Sequence, residues 1–405
     1  MMSLTHSLIL GIPSLLALSS FGIVTWQFLA AWRFPLHLRR PVNGFAPGIS
    51  LLKPLKDLDP THSEPCLRSW LTQDYPGQMQ FLFVVADEAD PVVPLVRRLI
   101  AEHPEREARL LVFPERVGFN AKVSKLAQAE TLLRHELVLV SDADVLAPAD
   151  LLSQMVLPLE DPGVALVHCF YRSANAATAA MEWEATAVNA DFWSQVLQSR
   201  TLAPMDFALG ASMLLRRSAL QSIGGFRAVA DHLADDFQLG NRIVAAGGSI
   251  ELTPVVVECF DRPTDWRAIW AHQVRWNRTI RVCRPWPYAA SILSNGTLWP
   301  ALAAMVFWVH PALPPRTRDP WLGLFMAMIL VRCLFAHGLA WKLSALPGRT
   351  RHGDPFVFGM AIAKDLLGAA VWVAALAGDT VHWRGIDYSV DREGRLTPLS
   401  PHQEG

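Results

Sequence analysis

Residues 137–144 read Leu-Val-Leu-Val-Ser-Asp-Ala-Asp, an apolar run that ends in the two carboxylates Asp142 and Asp144. A short, continuous apolar run of this kind is typical of a strand buried on both faces of a sheet. In open α/β sheets, ligands bind at the carboxyl ends of the strands, which is where this pair falls. Two such carboxylates can hold a hard cation, Mg²⁺ or Mn²⁺, together with substrate phosphates. Taken alone, the same pair is also typical of a solvated loop.

Outward from this stretch, apolar runs alternate with segments of helical periodicity. The strand-like runs are 49–52, 81–85, 109–113 and 137–140, and the helical segments are 92–102 and 121–135. This alternation predicts an α/β fold with a parallel sheet. Asp87 follows the run that ends at Val85, as Asp142 follows its own run, so we expect both acids to line one crevice.

The chain has 405 residues, of which 51% are hydrophobic and 18% are charged, against about 25% charged residues in an average soluble protein. The shortage of charged residues is confined to particular segments of the chain. Residues 45–285 hold 52 charged side chains in 241 positions, whereas 1–44 and 286–380 together hold 14 in 139. This pattern excludes a purely soluble protein and a disordered chain. The net charge of −1 excludes a basic nucleic-acid binder, so no nucleic-acid partner is expected.

The apolar blocks have the length of membrane-spanning segments. Residues 7–32 form a 26-residue stretch without a charge, and Arg33 follows at once. This favours an uncleaved anchor with its C-terminal flank in the cytoplasm over a cleaved signal peptide. Three further apolar stretches leave the number of crossings at three or four; they are 288–313, 320–343 and 355–378. Ionisable residues within them are expected to face the protein interior or a wet cavity; they are Arg332, Lys364 and Asp365.

Other polar residues fall near the predicted strand ends. Asp235 and Asp236 precede a helical run, where the helix dipole stabilises acids. Asp236 could instead act as a general base toward an acceptor hydroxyl. Three cations and one amide are placed to contact donor phosphates, with ordinary surface solubility as the alternative; they are Lys53, Lys56, Lys122 and Asn120.

A segment rich in arginine and tryptophan follows the polar block. A spacing of three places Arg275, Arg278 and Arg281 on one face of a helix. One interpretation is a helix on the membrane surface, with arginines on anionic lipid and tryptophans at the headgroup level. The other places Arg275 and Trp276 in a site for a diphosphate and an acceptor, and the two interpretations are compatible. Eight of the fifteen tryptophans lie between residues 266 and 341.

Several short motifs occur in one order along residues 50–285 and again in the C-terminal tail. They are Lys53-Pro-Leu-Lys56 with Asp59-Pro60, Gln73-Asp74-Tyr75-Pro76, Ala86-Asp87 with Asp90-Pro91, Val117-Gly118-Phe119-Asn120-Ala121-Lys122, Gly163–His168, Gly210–Arg217, Ala234-Asp235-Asp236-Phe237, Gln273-Val274-Arg275-Trp276, and Trp383-Arg384-Gly385 with Tyr388. In this arrangement the sequence resembles the ceramide glucosyltransferase family of membrane-bound glycosyltransferases, together with its bacterial hopanoid-associated relatives.

The resemblance implies a GT-A fold and an inverting enzyme that uses a UDP-sugar and a divalent cation. It also implies roles for the acids. Asp87 resembles the aspartate that binds the uridine nucleotide, and Asp142 with Asp144 resembles the metal-binding pair. Asp236 matches the family's general base, with Asp235 as a supporting acid.

The family's QxxRW element is resembled by Gln273, Arg275 and Trp276, although here one residue rather than two separates Gln273 from Arg275. The resemblance therefore implies a nucleotide-sugar site that combines these residues with polar residues near the strand ends. Its predicted members are Lys53, Asp87, Asn120, Lys122, Asp142, Gln273, Arg275 and Trp276.

These observations predict an integral membrane enzyme that transfers a sugar to the primary hydroxyl of a lipid such as ceramide, with UDP-glucose as the expected donor. The alternatives are transfer of an N-acetylhexosamine to a hopanoid, a processive polysaccharide synthase, and a membrane scaffold or transporter without this activity. A processive synthase would normally build its channel from more crossings than are counted here. A scaffold or transporter has no evident use for three separated acids in one crevice.

The predicted organisation has five parts, with the catalytic domain on the cytoplasmic side of a bacterial inner membrane. The five cysteines are scattered and form no CxxC pair, which fits that reducing compartment. The parts are an N-terminal anchor with its basic flank (1–44), the GT-A catalytic domain (45–262), interfacial Arg/Trp helices (263–287), membrane segments (288–378) and a tail with the Trp-Arg-Gly motif (379–405).

Overall fold

The computed structural model describes residues 4–56, 58–311, 313–345, 356–383 and 386–399. Arg384 and Gly385 of the tail motif lie outside the described residues. The chain divides into two compact units, each assembled from three separated segments. The helical unit comprises Met1–Pro35, Ala176–Ala203 and Thr264–Asp379, and the sheet unit comprises Leu36–Asn175, Pro204–Pro263 and Thr380–Gly405.

The strands of the described residues all lie in the sheet unit. They are β1 (Ile49–Pro54), β2 (Met79–Val85), β3 (Glu107–Val112), β4 (Leu137–Ser141), β5 (Val145–Leu146), β6 (Val164–Ser173), β7 (Ser212–Arg216), β8 (Ser249–Cys259), β9 (Thr380–Trp383), β10 (Ile386–Val390) and β11 (Leu396–Pro398).

The α-helices of the described residues are shared between the two units. In chain order they are α1 (Leu4–Arg33), α2 (Pro60–Leu71), α3 (Val93–Glu102), α4 (Ala121–Ala129), α5 (Leu151–Met155), α6 (Ala179–Thr186), α7 (Trp193–Leu202), α8 (Arg217–Ser222), α9 (Asp235–Ala245), α10 (Trp266–Cys283), α11 (Pro285–Ser291), α12 (Leu298–Val309), α13 (Pro315–Leu343) and α14 (Phe356–Leu376). The helical unit contains α1, α6, α7 and α10 to α14.

The first eight strands form one sheet in the order β3-β2-β1-β4-β7-β6-β8-β5. Strands β3, β2, β1 and β4 are parallel, β7 is antiparallel to both β4 and β6, β6 and β8 are parallel, and β5 is antiparallel to β8. The predicted α/β class is confirmed. The prediction of a parallel sheet is right for β3, β2, β1 and β4 and for the direction of β6 and β8, and wrong for β7 and β5. The two antiparallel strands lie beyond residue 144, where the predicted strand–helix pattern ends. Between β6 and β7 the chain instead passes through a segment of the helical unit.

The carboxyl ends of the parallel strands create one edge at which polar residues can collect. Every residue of β1, β2 and β4 is buried, as expected for strands covered on both faces. Since these strands are parallel, Asp87, two residues beyond β2, and Asp142, directly after β4, lie at the same edge of the sheet. The buried indole of Trp70, in α2, donates to the Val145 carbonyl at 3.0 Å and so fixes α2 next to this edge.

Three helices of the described residues are long and apolar enough to cross a membrane, at Leu8–Arg33, Pro315–Leu343 and Phe358–Leu376. The segment Pro285–Ser294 and α12 pass the same test together, but they are bent by 50° at the break between them. Such a pair is either a broken span or a re-entrant loop. The described residues therefore give three or four candidate crossings, the range that the sequence predicts.

Four ionisable side chains meet in the interior of the helical unit. The Arg332 guanidinium donates to Asp191 at 2.7 and 2.9 Å and to Asp365 at 2.9 and 3.0 Å. Lys364 binds both acids as well, and the Thr297 hydroxyl donates to Asp365 at 2.7 Å. Arg332 is 4% exposed and Asp365 is 2% exposed, so the expectation that these charges face the protein interior is confirmed.

Two arginines of α10 bind the carboxyl end of another helix. Arg278 donates to the Ala377 carbonyl at 2.8 Å, and Arg281 donates to the Gly378 carbonyl at 3.0 Å, just beyond α14. Arginine here satisfies carbonyls that lack a helical partner and complements the negative end of the helix dipole. These two guanidinium groups therefore bind protein carbonyls, where the sequence predicted anionic lipid.

Asp365→Ala is expected to lower the free energy of unfolding by about 3–5 kcal/mol, because it leaves buried cations without one of their acids. The measurement is the thermal midpoint of the detergent-solubilised protein. Asp319→Ala is the matched control, since Asp319 forms an exposed pair with Arg318 on α13, and exposed pairs contribute little. Equal midpoints for the two variants would contradict a stabilising role of the buried charges.

Candidate active site

The turn between β4 and β5 carries Asp142 and Asp144, and its backbone is held by neighbouring segments. The Asp142 N–H donates to the Ala211 carbonyl at 3.2 Å, and the Asp144 carbonyl accepts from the Phe260 N–H at 3.1 Å. The Cys66 thiol donates to the same Asp144 carbonyl at 3.3 Å. Residues next to β7 and β8 therefore order the backbone from which both carboxylates project.

Lys53, in β1, supports this turn from within the sheet unit. Its side chain is fully buried, and its ammonium group donates to the Ser141 hydroxyl at 3.2 Å and to the Asp142 carbonyl. The ammonium nitrogen also lies 4.7 Å from the centre of the Trp70 ring. Burial lowers the pKa of Lys53 to about 8. Lys53 was predicted to contact donor phosphates; in the structure its hydrogen bonds go to residues at the end of β4.

Lys122, in the first turn of α4, joins two acids. Its ammonium nitrogen lies 2.9 Å from Asp142 Oδ1 and 3.0 Å from Asp235 Oδ2. Burial disfavours the charge of Lys122, but the attraction of Asp142 and Asp235 outweighs that effect and raises the pKa of Lys122 above its usual value. Lys122 is therefore a permanent cation that holds the end of β4 close to the start of α9.

Asn120 is fully buried and orders the residues before α4. Its side-chain oxygen accepts from the N–H groups of Lys122 and Val123 at 3.0 and 3.2 Å, which caps the helix. Its side-chain nitrogen donates to the His232 carbonyl at 2.9 Å and to Asp235 at 3.4 Å. Predicted to contact the donor, Asn120 here connects the cap of α4 with the segment that precedes α9.

Asp235 and Asp236 form the first turn of α9, a position where acids complement the helix dipole. Asp236 Oδ1 accepts from the Phe237 N–H at 2.8 Å. Asp236 Oδ2 approaches Gly210 so closely that a Cβ on that glycine would be 2.9 Å away. Burial, together with the negative charge of Asp235, raises the pKa of Asp236 to about 6. Asp236 can therefore exchange a proton close to neutral pH, as a general base must.

Asp142 and Asp144 suit a divalent cation that takes part of its ligands from elsewhere. Burial and the negative charges of Asp142 and Asp261 raise the pKa of Asp144 to about 7, so a cation here would relieve repulsion among these acids. Within the described part of the chain, no group of three or more His, Cys, Asp or Glu side chains is arranged to hold a metal ion. Mg²⁺ commonly binds through one or two carboxylates plus water and substrate phosphates, which fits a pair of acids.

Asp87 lies two residues beyond β2 in an exposed turn. Its Oδ1 accepts from the Ala89 N–H at 2.9 Å, and Asp90 accepts in the same way from Val92 at 3.0 Å. Both acids therefore order the loop that leads into α3. Asp87 shares the edge of the sheet with Asp142, although its hydrogen bonds are local.

Gln273, Arg275 and Trp276 lie in α10, in the helical unit, whereas the other predicted site residues lie in the sheet unit. Gln273 Nε2 donates to Glu184 Oε1 at 2.8 Å. His272 contacts the same oxygen at 2.6 Å, and its ring lies 4.5 Å from that of Trp276. The sequence offers a signal for His272, which adjoins the predicted motif. It offers none for Glu184, whose partners are 88 and 89 residues away.

A solved structure with a similar fold is a mannosyltransferase from Pyrobaculum calidifontis in complex with GDP-Man and Mn²⁺. The two share a TM-score of 0.53 and 21% identity, over 91% of this chain and 97% of that chain. The mixed sheet, with its acid pair after a central strand, thus has the GT-A fold of a glycosyltransferase. The family model of glycosyl transferase family 21 matches residues 12–396, and the chain belongs to this family. The resemblance seen in the sequence is thereby confirmed.

The curated relatives are all glycosyltransferases by name, but their names state different sugars. Ceramide glucosyltransferase 1 of Caenorhabditis elegans is 28% identical over 224 residues, which is 53% of this chain and 46% of that protein. An N-acetylglucosaminyltransferase of Rhizobium leguminosarum bv. viciae is 22% identical over 292 residues, which is 67% of this chain and 66% of that protein. The matched stretches therefore span about half to two thirds of these relatives' own lengths.

Lys53→Met is expected to lower the free energy of unfolding by about 1–3 kcal/mol, because the Asp142 carbonyl and the Ser141 hydroxyl would lose a buried donor. Thermal midpoints of the detergent-solubilised variants measure the effect. Lys56→Met, at an exposed position just after β1, is the matched control and should change stability by no more than about 0.5 kcal/mol. A Lys53→Met midpoint equal to that of the control would show that the buried ammonium contributes nothing to stability.

Proposed function

We propose that the protein is an inverting glycosyltransferase that moves a sugar from a UDP-sugar, with UDP-glucose as the expected donor, to the primary hydroxyl of a membrane lipid such as ceramide. The observation that carries the proposal is the pair of contacts from Lys122 to Asp142 and Asp235. These contacts bring an acid suited to cation binding close to the start of α9. Since Asp236 adjoins Asp235, an acid suited to proton transfer is brought to the same place.

A divalent cation, Mg²⁺ or Mn²⁺, would be held by Asp142 and Asp144. When bound, it would offset the negative charge that develops on the diphosphate as its bond to the sugar breaks. The raised pKa of Asp144 supports this assignment, because a bound cation would stabilise the ionised form of both acids. The Mn²⁺ in the mannosyltransferase of similar fold also supports it. Asp87, beyond the carboxyl end of β2 at the same edge of the sheet, would bind the uridine nucleotide.

Asp236 would act as the general base. In its ionised form it would accept the proton of the acceptor hydroxyl while that oxygen bonds to the anomeric carbon and the bond to the diphosphate breaks. One displacement of this kind inverts the anomeric configuration and requires no covalent nucleophile. Asp235, held by Lys122, would support the base through its charge.

The acceptor would reach the site from the membrane. Three helices long enough to cross a bilayer, and membership of family 21, support an integral membrane enzyme. Arg33, at the end of α1, and Arg39 and Arg40 after it favour a cytoplasmic sheet unit. A bacterial inner membrane is part of the proposal. The resemblance of residues 273–276 to the QxxRW element supports a proposed role for three residues of α10 in binding the diphosphate and the acceptor; they are Gln273, Arg275 and Trp276.

A second candidate is transfer of an N-acetylhexosamine to a hopanoid. The observation that favours it is the match to a bacterial N-acetylglucosaminyltransferase, which covers 67% of this chain, against 53% for the nematode ceramide glucosyltransferase. The two candidates use the same acids and differ in the sugar and the lipid. One assay can therefore separate them.

Membranes that contain the protein are expected to form a glycolipid from one pairing of UDP-glucose or UDP-N-acetylglucosamine with ceramide or a hopanoid, as identified by mass spectrometry. Asp236→Asn should lower this transfer by about 10²- to 10⁴-fold, the usual contribution of a general base, and should leave UDP binding unchanged. Asp319→Asn, at an exposed pair on α13, is the matched control. Chelation of divalent cations should abolish wild-type transfer, and Mg²⁺ or Mn²⁺ should restore it.

Near-normal transfer by a folded, membrane-inserted Asp236→Asn variant would contradict the assignment of the base. A polymer formed from UDP-sugar without added lipid would identify a polysaccharide synthase instead. Alanine substitutions at Asp142 and Asp236 that change neither transfer nor UDP binding would favour a scaffold or transporter, and metal-dependent UDP binding would count against that alternative.

The rate of transfer is expected to rise with pH through an inflection near the Asp236 pKa of about 6, because only the ionised carboxylate can accept a proton. Asp235→Asn should move the inflection to lower pH, since the variant removes a negative charge that raises the Asp236 pKa. The measurement is kcat/KM as a function of pH at a saturating concentration of cation. An inflection that stays in place or moves to higher pH in this variant would contradict the electrostatic coupling.

A further inference from the structure

The last described strands form a small antiparallel sheet, β11-β10-β9, that belongs to the sheet unit. The turn before β11 joins the rest of the unit through backbone hydrogen bonds. The Leu233 N–H donates to the Gly394 carbonyl at 3.2 Å, and the Leu396 N–H donates to the Asp231 carbonyl at 2.7 Å. His232 and Arg395 therefore form an isolated antiparallel bridge between the two segments.

The paired segment immediately precedes the acids of α9. Ala234 alone separates Leu233 from Asp235, so the backbone of this segment determines where α9 begins. Gln238, within the first turns of α9, adds a hydrogen bond from its side-chain nitrogen to the Glu393 carbonyl at 3.1 Å. The tail turn thus contacts both the loop before α9 and the helix itself.

The same loop is also held by the residues before α4. Asp231 Oδ1 accepts from the Phe119 N–H at 3.0 Å, and the Asn120 N–H donates to the Ala230 carbonyl at 2.8 Å. The Phe119 ring meets the buried ring of Tyr388, in β10, edge to face with 6.2 Å between centroids. The loop before α9 is therefore attached both to the cap of α4 and to the C-terminal tail.

The tail turn requires a particular backbone conformation. Gly394 has a φ of +82°, a region that residues with a Cβ rarely adopt. Asp391 orders the turn by accepting from the N–H groups of Glu393 and Arg395 at 3.0 and 2.8 Å. Gly394 is thus the residue whose left-handed backbone lets its carbonyl accept from Leu233.

We propose that the C-terminal tail, residues 380–383 and 386–399, is a positioning element of the catalytic site, and that its pairing with residues 231–233 sets the position of the Asp236 carboxylate. The inference rests on the proposed function, because it takes Asp236 as the base. A base must lie within hydrogen-bond reach of the proton that it accepts, and a displacement of about 1 Å can cost about 10²-fold in rate. The tail would therefore act on kcat and leave the binding of UDP unchanged.

The test compares Gly394→Val with Gly394→Asn in the full chain, in membranes. Valine is expected to lower kcat by about 10- to 100-fold, because its branched side chain opposes the positive φ of the turn. Asparagine adopts positive φ more readily than most residues and should restore most of the rate. Asp319→Asn, at an exposed pair on α13 outside the tail, is the matched control. The KM for the UDP-sugar and the Kd for UDP should stay at wild-type values in all three variants.

Gln238→Ala provides a milder second variant, because it removes one hydrogen bond between α9 and the tail. It should lower kcat less than Gly394→Val does. Wild-type kcat in both Gly394→Val and Gln238→Ala would overturn the inference. So would a loss that asparagine does not rescue and that is accompanied by weaker UDP binding, because that result marks a general structural role.

A double variant separates failure of this inference from failure of the proposed function. If the tail acts through Asp236, Gly394→Val combined with Asp236→Asn should be no slower than Asp236→Asn alone, because both changes remove the same contribution. Multiplicative losses would overturn the inference and leave the base assignment intact. A normal rate for Asp236→Asn would overturn the proposed function, whatever the tail variants show.

Discussion

One cation, Lys122, connects the parts of the sheet unit that the proposed chemistry needs close together. Its ion pairs with Asp142 and Asp235 join the end of a central parallel strand to the start of α9, elements that are far apart in the sequence. The position of Lys122 depends in turn on Asn120, whose buried amide caps α4 and binds the segment before α9. Charge and hydrogen bonding from one helix N-terminus thus determine how the two groups of acids face each other.

The acids around Lys122 lie in different environments and therefore suit different tasks. Burial and neighbouring acids raise the pKa of Asp144 to about 7, and burial with the charge of Asp235 raises the pKa of Asp236 to about 6. Crowded carboxylates after a strand favour a cation, whereas a carboxylate that titrates near neutral pH favours proton transfer. Different environments of this kind allow similar carboxylates in one site to have different roles, here cation binding and proton transfer. The tail would complete the arrangement by holding the loop before α9.

The parts of the structure that were predictable from the sequence depend on local pattern. The apolar runs that became β1, β2, β3 and β4 are short and continuous. Asp142 follows β4 directly and Asp87 lies two residues beyond β2, so the parallel strands place both acids at one edge of the sheet. The antiparallel strands β5 and β7 were missed because the predicted strand–helix pattern ends at residue 144 and strand direction depends on which strands pair. The hydrogen bonds of Lys53 were also not predictable from the sequence, because its partners, Ser141 and Asp142, lie 88 and 89 residues further along the chain.

The sequence by itself determined the α/β class, the apolar spans and the family, because each of these follows from residue type and from the order of motifs along the chain. Only the tertiary structure decided which residues meet. In the structure, Lys53 is buried next to the turn between β4 and β5, and Arg278 and Arg281 bind carbonyls at the end of α14. The C-terminal tail pairs with the loop before α9. These contacts join segments that are distant in sequence, and their stability comes from ion pairs and backbone hydrogen bonds that no local pattern encodes.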